Sequence, residues 1–141
     1  MEEESSRTLF ASARVARLAT MGQEGPRLVP VVFAVDGDHI YTAVDHKPKR
    51  SRYLQRLADI RVSPAVTLLA DHYEENWDLL WWVRADGIAT ILEEPTDTSR
   101  GLDLLVEKYP QYQNRRPDGP VVAIAVTAWR SWSASGVVGL S

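Results

Sequence analysis

Apolar and polar positions change rhythm along the chain, and each change marks an element. From Glu3 to Ala13 the apolar Leu9, Phe10 and Ala13 follow an i, i+1, i+4 spacing behind acidic residues, which predicts a short amphipathic helix. Arg14 to Met21 (RVARLATM) alternates loosely, Gly22 to Pro26 is turn chemistry, and Arg27 to Val35 (RLVPVVFAV) is β-branched and apolar, so the two runs read as a hairpin. Pro30 cannot donate to a strand ladder, so its strand should lie at an edge, start late or carry a bulge. Asp36-Gly37-Asp38 then separates Phe33-Ala34-Val35 from the strand His39 to Val44, a strong hairpin signal that makes three strands antiparallel in succession.

Further on, Tyr53, Leu54, Leu57 and Ala58 sit at helical spacing, predicting a helix over Ser51 to Ile60 with Ser51 as its N-cap. Val66 to Ala70 (VTLLA) has a buried-strand pattern, Asp71 to Asp78 is a polar loop, and Leu79 to Leu92 is a long strand with a bulge expected at Gly87. Pro95 opens a second helix carrying Leu102, Leu105, Val106 and Tyr109; a loop through QNRRPDGP leads to a last strand from Val121 to about Ser133. The sum is about six antiparallel strands interrupted by short helices. A mainly β small barrel fits; a doubly wound parallel sheet lacks its βαβ alternation, and a helical bundle contradicts the β-branched runs.

Composition narrows the chemistry. At 141 residues, 45% hydrophobic and 25% charged, the chain reads as a single domain over 1–141, with a helical segment 1–13 and a tail 134–141. A net charge of −3 argues against a surface built for nucleic acid, so an anion site must be local. The absence of cysteine excludes disulfides, Cys-ligated zinc, iron–sulfur centres and thiol nucleophiles. Three glutamates near the start, where a secretory signal would need positive charge, and the lack of a long apolar run point to a cytoplasmic protein that does not enter the membrane.

Lys47 to Arg56 (KPKRSRYLQR) places five of the 16 basic residues in ten positions without an acid. The run ends a strand and opens a helix, so free N–H groups and the positive helix end can join Lys and Arg in holding a phosphate. A solvated helix face would have the same composition. All five tryptophans, Trp77, Trp81, Trp82, Trp129 and Trp132, lie in the second half. Strand alternation puts Trp82 with Arg84 on one face, Trp81 with Val83 on the other, and Trp129 opposite Arg130; for any one of them, packing is the commoner role. His39, His46 and His72 lack metal-ligand spacing, so no metal is expected, and no Gly-x-Ser-x-Gly elbow, facing carboxylate pair or Gly-rich phosphate loop is present.

The order of these features is that of a known family. LAT at Leu18 to Thr20, GPRLVPVVFAVDG at Gly25 to Gly37, IYTAV at Ile40 to Val44, KPKRSRYLQRLADIRVSPAVTLLAD from Lys47 and the later strand WWVRADG resemble the split β-barrel flavin-binding family typified by pyridoxamine 5′-phosphate oxidase. The resemblance extends from about Leu9 to Trp132 and is nearest to the branch that uses the deazaflavin coenzyme F420. It implies a six-stranded Greek-key split barrel with short flanking helices, forming a homodimer whose cofactor lies in a groove between subunits. Residue by residue, it implies ring contacts at Val31 and Val32 and along Thr42, Ala43 and Val44, a phosphate-binding turn at Lys47, Lys49, Arg50 and Ser51, and Trp77 and Arg130 reaching the groove from the partner. Pro30 and Val31 replace polar residues of many relatives, which leaves ring hydrogen bonds to the backbone. No residues match those that bind pyridoxal phosphate, so vitamin B6 oxidation ranks below a reductase role. The implied function is an F420-dependent oxidoreductase passing hydride to an electron-poor small molecule. The alternatives are an FMN-binding flavin reductase and a non-catalytic cofactor- or haem-binding barrel.

Overall fold

The computed structural model describes residues 2–43 and 50–136, with the backbone alone for 50–54. Helix α1 (Glu3–Ser12) leads into the hairpin β1 (Ala16–Gly22) and β2 (Gly25–Val31), followed by β3 (Ala34–Asp36) and β4 (His39–Ala43). Helix α2 (Arg50–Val62) precedes β5 (Ala65–His72), a single 3₁₀ turn (Trp77–Leu79) and β6 (Trp81–Leu92). Helices α3 (Pro95–Lys108) and α4 (Gln111–Asn114) lead to β7 (Val121–Ser133). All neighbouring strands are antiparallel, in the order β2-β1-β5-β6-β7-β4-β3.

The sheet has seven strands, not six, because the expected strand Arg27 to Val35 divides. Its halves, β2 and β3, occupy opposite edges although only Val32 and Phe33 separate them in the chain. In a flat sheet those edges would stand about 29 Å apart at the usual strand spacing. Three backbone steps from Val31 to Ala34 span at most about 11 Å. The sheet therefore curls until its edges meet at this point, as in a split barrel. Pro30 lies on the edge strand β2, opposite Arg17 and exposed, where a missing donor costs little.

Inside the curl, Leu18, Val31, Phe33, Ile40, Leu68, Val83 and Ile124 are buried in one cluster that Phe10 of α1 and Leu57 and Ile60 of α2 complete. The Phe10 ring meets Phe33 at 4.8 Å and the Trp129 edge at 5.5 Å. Trp81 and Trp129 pack against this cluster, whereas Arg130 and Trp132 are exposed, as the alternation requires. Asp38, in the two-residue turn after Gly37 (φ +61°), accepts from Trp129 Nε1 at 3.2 Å and pairs with Arg7 at 2.6 Å, tying α1 and β7 to the hairpin tip.

The bulge expected at Gly87 is where β6 shifts register against β7: Asp86 faces Ala128 and Gly87 faces Val126, leaving Thr127 as the extra residue. Its hydroxyl donates to the Asp86 carbonyl at 3.1 Å. A Cβ on Gly87 would lie 2.5 Å from the Ala125 carbonyl oxygen, inside contact distance of rigid backbone. Gly87→Ala should therefore cost about 1–3 kcal/mol of stability, read as a lowered denaturation midpoint with an unchanged slope.

Candidate functional site

Where β2 passes into β3 the backbone leaves both edges, and side chains take over its hydrogen bonds. Thr42 is buried on β4 and its Oγ1 donates to the Val32 carbonyl at 2.9 Å. The Phe33 N–H donates to Tyr109 Oη at 3.1 Å. The Tyr109 hydroxyl in turn shares its hydrogen between the carbonyls of Phe33 and Arg14, each 3.0 Å away. Tyr109 is the residue at which α3 ends, so the helix C-terminus is anchored on the break. Burial raises the phenol pKa, which keeps the donor protonated.

Lys108, one residue earlier, serves the end of α1. Its Nζ donates to the carbonyls of Ala11 at 3.1 Å and Ala13 at 2.8 Å and stands 3.8 Å over the Phe33 ring. Arg14 closes the group, donating to the Lys108 carbonyl at 2.9 Å with its guanidinium 4.8 Å over the Tyr109 ring. Burial, with the neighbouring Arg14 charge, pushes the Lys108 ammonium down to about 8.

Of the residues singled out in the sequence, Val32, Thr42 and Ala43 are brought together here. Val32 and Ala43 pack, partly buried, against the cluster of Ala34, Leu105, Tyr109 and Tyr112. Val31 is 6% exposed, with its side chain in the barrel core. Val44, Lys47 and Lys49 lie outside the described residues, as do the side chains of Arg50 and Ser51. Along the chain the run Lys47 to Arg56 starts after the strand end at Ala43 and continues from Arg50 within α2, in which Ser51 is the second residue rather than the cap.

Trp77 and Arg130 are elsewhere in the same chain. Thr42 faces Val122, and Arg130 follows eight positions later on β7, about 25 Å away at the usual strand rise. Trp77, 65% exposed, stands beyond the loop that joins β5 to the Trp81 end of β6, and Trp81 faces Ser133 near the end of β7. Arg130 directly faces Arg84, and Trp82 faces Trp132 in the next row. Arg84 donates to Asp86 at 3.3 Å, and Asp86 also accepts from Thr67 at 2.9 Å. Sequence reasoning missed Lys108, Tyr109 and the Arg84–Arg130 pair. The available signal was a phenol on the buried stripe of α3, which requires a partner for its hydroxyl.

The family model described as pyridoxamine 5′-phosphate oxidase matches residues 2–138. The chain belongs to that family. No curated protein matches the sequence. Among solved structures, a conserved hypothetical protein, Rv2991 of Mycobacterium tuberculosis, is 26% identical with a TM-score of 0.77, over 100% of this chain and 91% of that one. A FAD-binding protein of Mesorhizobium loti is 17% identical with a TM-score of 0.71, over 93% and 94% of the two chains. The FAD binding protein of Mycobacterium smegmatis is 15% identical with a TM-score of 0.63, over 94% and 97%. At 17% and 15% identity these last two show a shared fold alone.

The Lys108 contacts carry a pH dependence of fixed sign. Its folded pKa of about 8 lies below the ordinary 10.5, so the unfolded chain holds the proton more tightly between those values and stability must rise with pH across that window. Measured against Lys108→Met, which removes this group and leaves the other titrations in place, wild-type stability should gain on the order of 1 kcal/mol between pH 8 and 10.5, after allowance for partial solvent screening. Parallel urea titrations of the two proteins at stepped pH would show it.

Proposed function

We propose that this chain is an oxidoreductase that binds coenzyme F420 and passes hydride between the reduced deazaflavin and an electron-poor small molecule. The observation that carries this reading is the grouping of Val32, Thr42 and Ala43 at the strand break, with the basic run beginning four residues further along the chain at Lys47. Val32 and Ala43 offer apolar side chains there, and cationic residues follow in the chain at Lys47, Lys49 and Arg50, a combination that suits a ring joined to a phosphate. Membership of the pyridoxamine 5′-phosphate oxidase family supports it.

A bound deazaflavin would supply the hydride chemistry, and the protein's part is to hold and orient it. In this reading the backbone of Val31, whose side chain stays in the barrel core, lines the ring together with Val32, Thr42, Ala43 and Val44, and Lys47, Lys49, Arg50 and Ser51 hold the phosphate. The Thr42 hydroxyl already donates its hydrogen bond to the Val32 carbonyl, so it fixes the strand break rather than donating to a ligand. Because Arg130 stands about 25 Å along the sheet from Thr42, its part in the groove requires a second copy of the chain. The exposed sheet face that carries Arg130, Trp132, Leu28 and Ile88 offers apolar and cationic surface for that pairing. A true flavin is the second reading, favoured by the two fold relatives named as FAD-binding proteins.

Side-by-side titrations with F420, FMN and FAD, followed by tryptophan fluorescence at moderate salt, test both readings. Micromolar or tighter F420 binding with much weaker flavin binding is expected; the reverse order moves the protein to the flavin reading. Lys49→Ala and Arg50→Ala should each weaken the preferred cofactor by about 1.5–3 kcal/mol, as for a lost charge-assisted hydrogen bond. Diluting the protein through its dimer dissociation range should lower cofactor affinity in step with loss of the dimer seen by sedimentation; an affinity independent of protein concentration would place the whole site in one chain.

A further inference from the structure

We infer that Tyr109 is a positioning residue for cofactor binding: its hydroxyl sets the backbone of the strand break that presents Val31 and Val32 to the ring. The inference rests on the proposed placement of the cofactor at those residues. Its physical basis is the bonding at Phe33. This residue lies between two strands that sit on opposite edges of the sheet, so its N–H and carbonyl have lost a ladder partner. Both are bonded by one hydroxyl, at 3.1 and 3.0 Å, and that hydroxyl also reaches the Arg14 carbonyl at 3.0 Å, just ahead of β1. Three stretches of chain are thereby referenced to one atom at the end of α3.

The phenol ring packs with Leu105, Tyr112 and Ala34, a role that phenylalanine would fill equally well. The hydroxyl adds nothing to that packing. It fixes the rotation of the Phe33 peptide, and with it the direction of the neighbouring Val32 carbonyl, which Thr42 holds from the other side at 2.9 Å. Without the hydroxyl, Phe33, which has no exposed surface, would keep two backbone groups with no partner, and the segment from Val31 to Ala34 would turn to find other ones. The shift would fall on the Val31–Val32 backbone.

Tyr109→Phe tests this, with Leu68→Val in the middle of β5 as a control of comparable stability loss away from the break. F420 and FMN are titrated into each protein, and amide hydrogen exchange is followed in the free proteins. Tyr109→Phe should weaken the preferred cofactor at least tenfold and speed exchange at Phe33 and Ala34 beyond the change elsewhere, while Leu68→Val keeps the wild-type dissociation constant within twofold. Wild-type binding that Tyr109→Phe leaves within twofold overturns this inference and spares the cofactor reading. A wild type that binds neither F420 nor FMN overturns the cofactor reading, and this inference with it. If Tyr109→Phe does not fold, exchange in the wild type decides: a Phe33 amide slowed a further tenfold by the cofactor supports the inference, and one that exchanges freely or ignores the cofactor overturns it.

Discussion

A sheet of seven strands whose two edges are consecutive in the chain can exist only if it curls back on itself, and the two residues at the seam must turn without leaving buried backbone unbonded. Phe33 occupies that seam. Its side chain fills the barrel against Phe10, so it cannot swing its peptide groups out to water, and its N–H and carbonyl depend on a single phenol from α3. The apolar requirement inside and the polar requirement of the peptide meet at one residue, and Tyr109 satisfies the second without disturbing the first.

The placing of α3 and α1 follows from that contact. Because Tyr109 must reach the seam, α3 ends there, and Lys108 is left pointing at the open carbonyls of α1. An ammonium is well matched to a helix C-terminus, where the dipole is negative, yet it is held over the Phe33 ring in partial burial, and the two effects oppose each other. At the other end of the barrel, Asp38 does a similar service with a carboxylate whose bonds to Trp129 and Arg7 hold its pKa below the ordinary value. Both helices are thus registered on the sheet by polar side chains reaching backbone or indole groups, with the hydrophobic cluster supplying attraction but little direction.

Much of this was legible in the chain. The Asp36-Gly37-Asp38 turn, the edge position of Pro30, the bulge at Gly87 and the inward and outward tryptophans follow from local chemistry, and all are found. The strand break was not legible, because Val31-Val32-Phe33-Ala34 is uniformly apolar and nothing local marks where a strand must leave one edge and join another. That break is a demand of closure, set by partners as distant as β1 and β7. Tyr109 was legible as core but not as a hydrogen-bonding hub, since its partners are backbone groups more than seventy positions away. In the candidate site, Thr42 was singled out for lying along a ring, and its hydroxyl proves to be bound to Val32, a distinction between lining and fixing that periodicity cannot express.

The outward face of the sheet shows the same tension between local preference and a longer-range demand. Arg84 and Arg130 face each other across β6 and β7, an arrangement that ordinarily costs stability, and among the described residues only Arg84 has its charge met, by Asp86. Beside them Trp132 is 45% exposed, and further along the face Leu28 and Ile88 are 68% and 46% exposed, more apolar surface than one isolated strand face needs. In a paired arrangement the apolar residues would be covered, and the Arg130 charge would be carried toward the groove of the other copy, about 25 Å from the strip in its own chain. In the proposed pairing, the partner for the Arg130 charge would belong to the assembled site rather than to one chain.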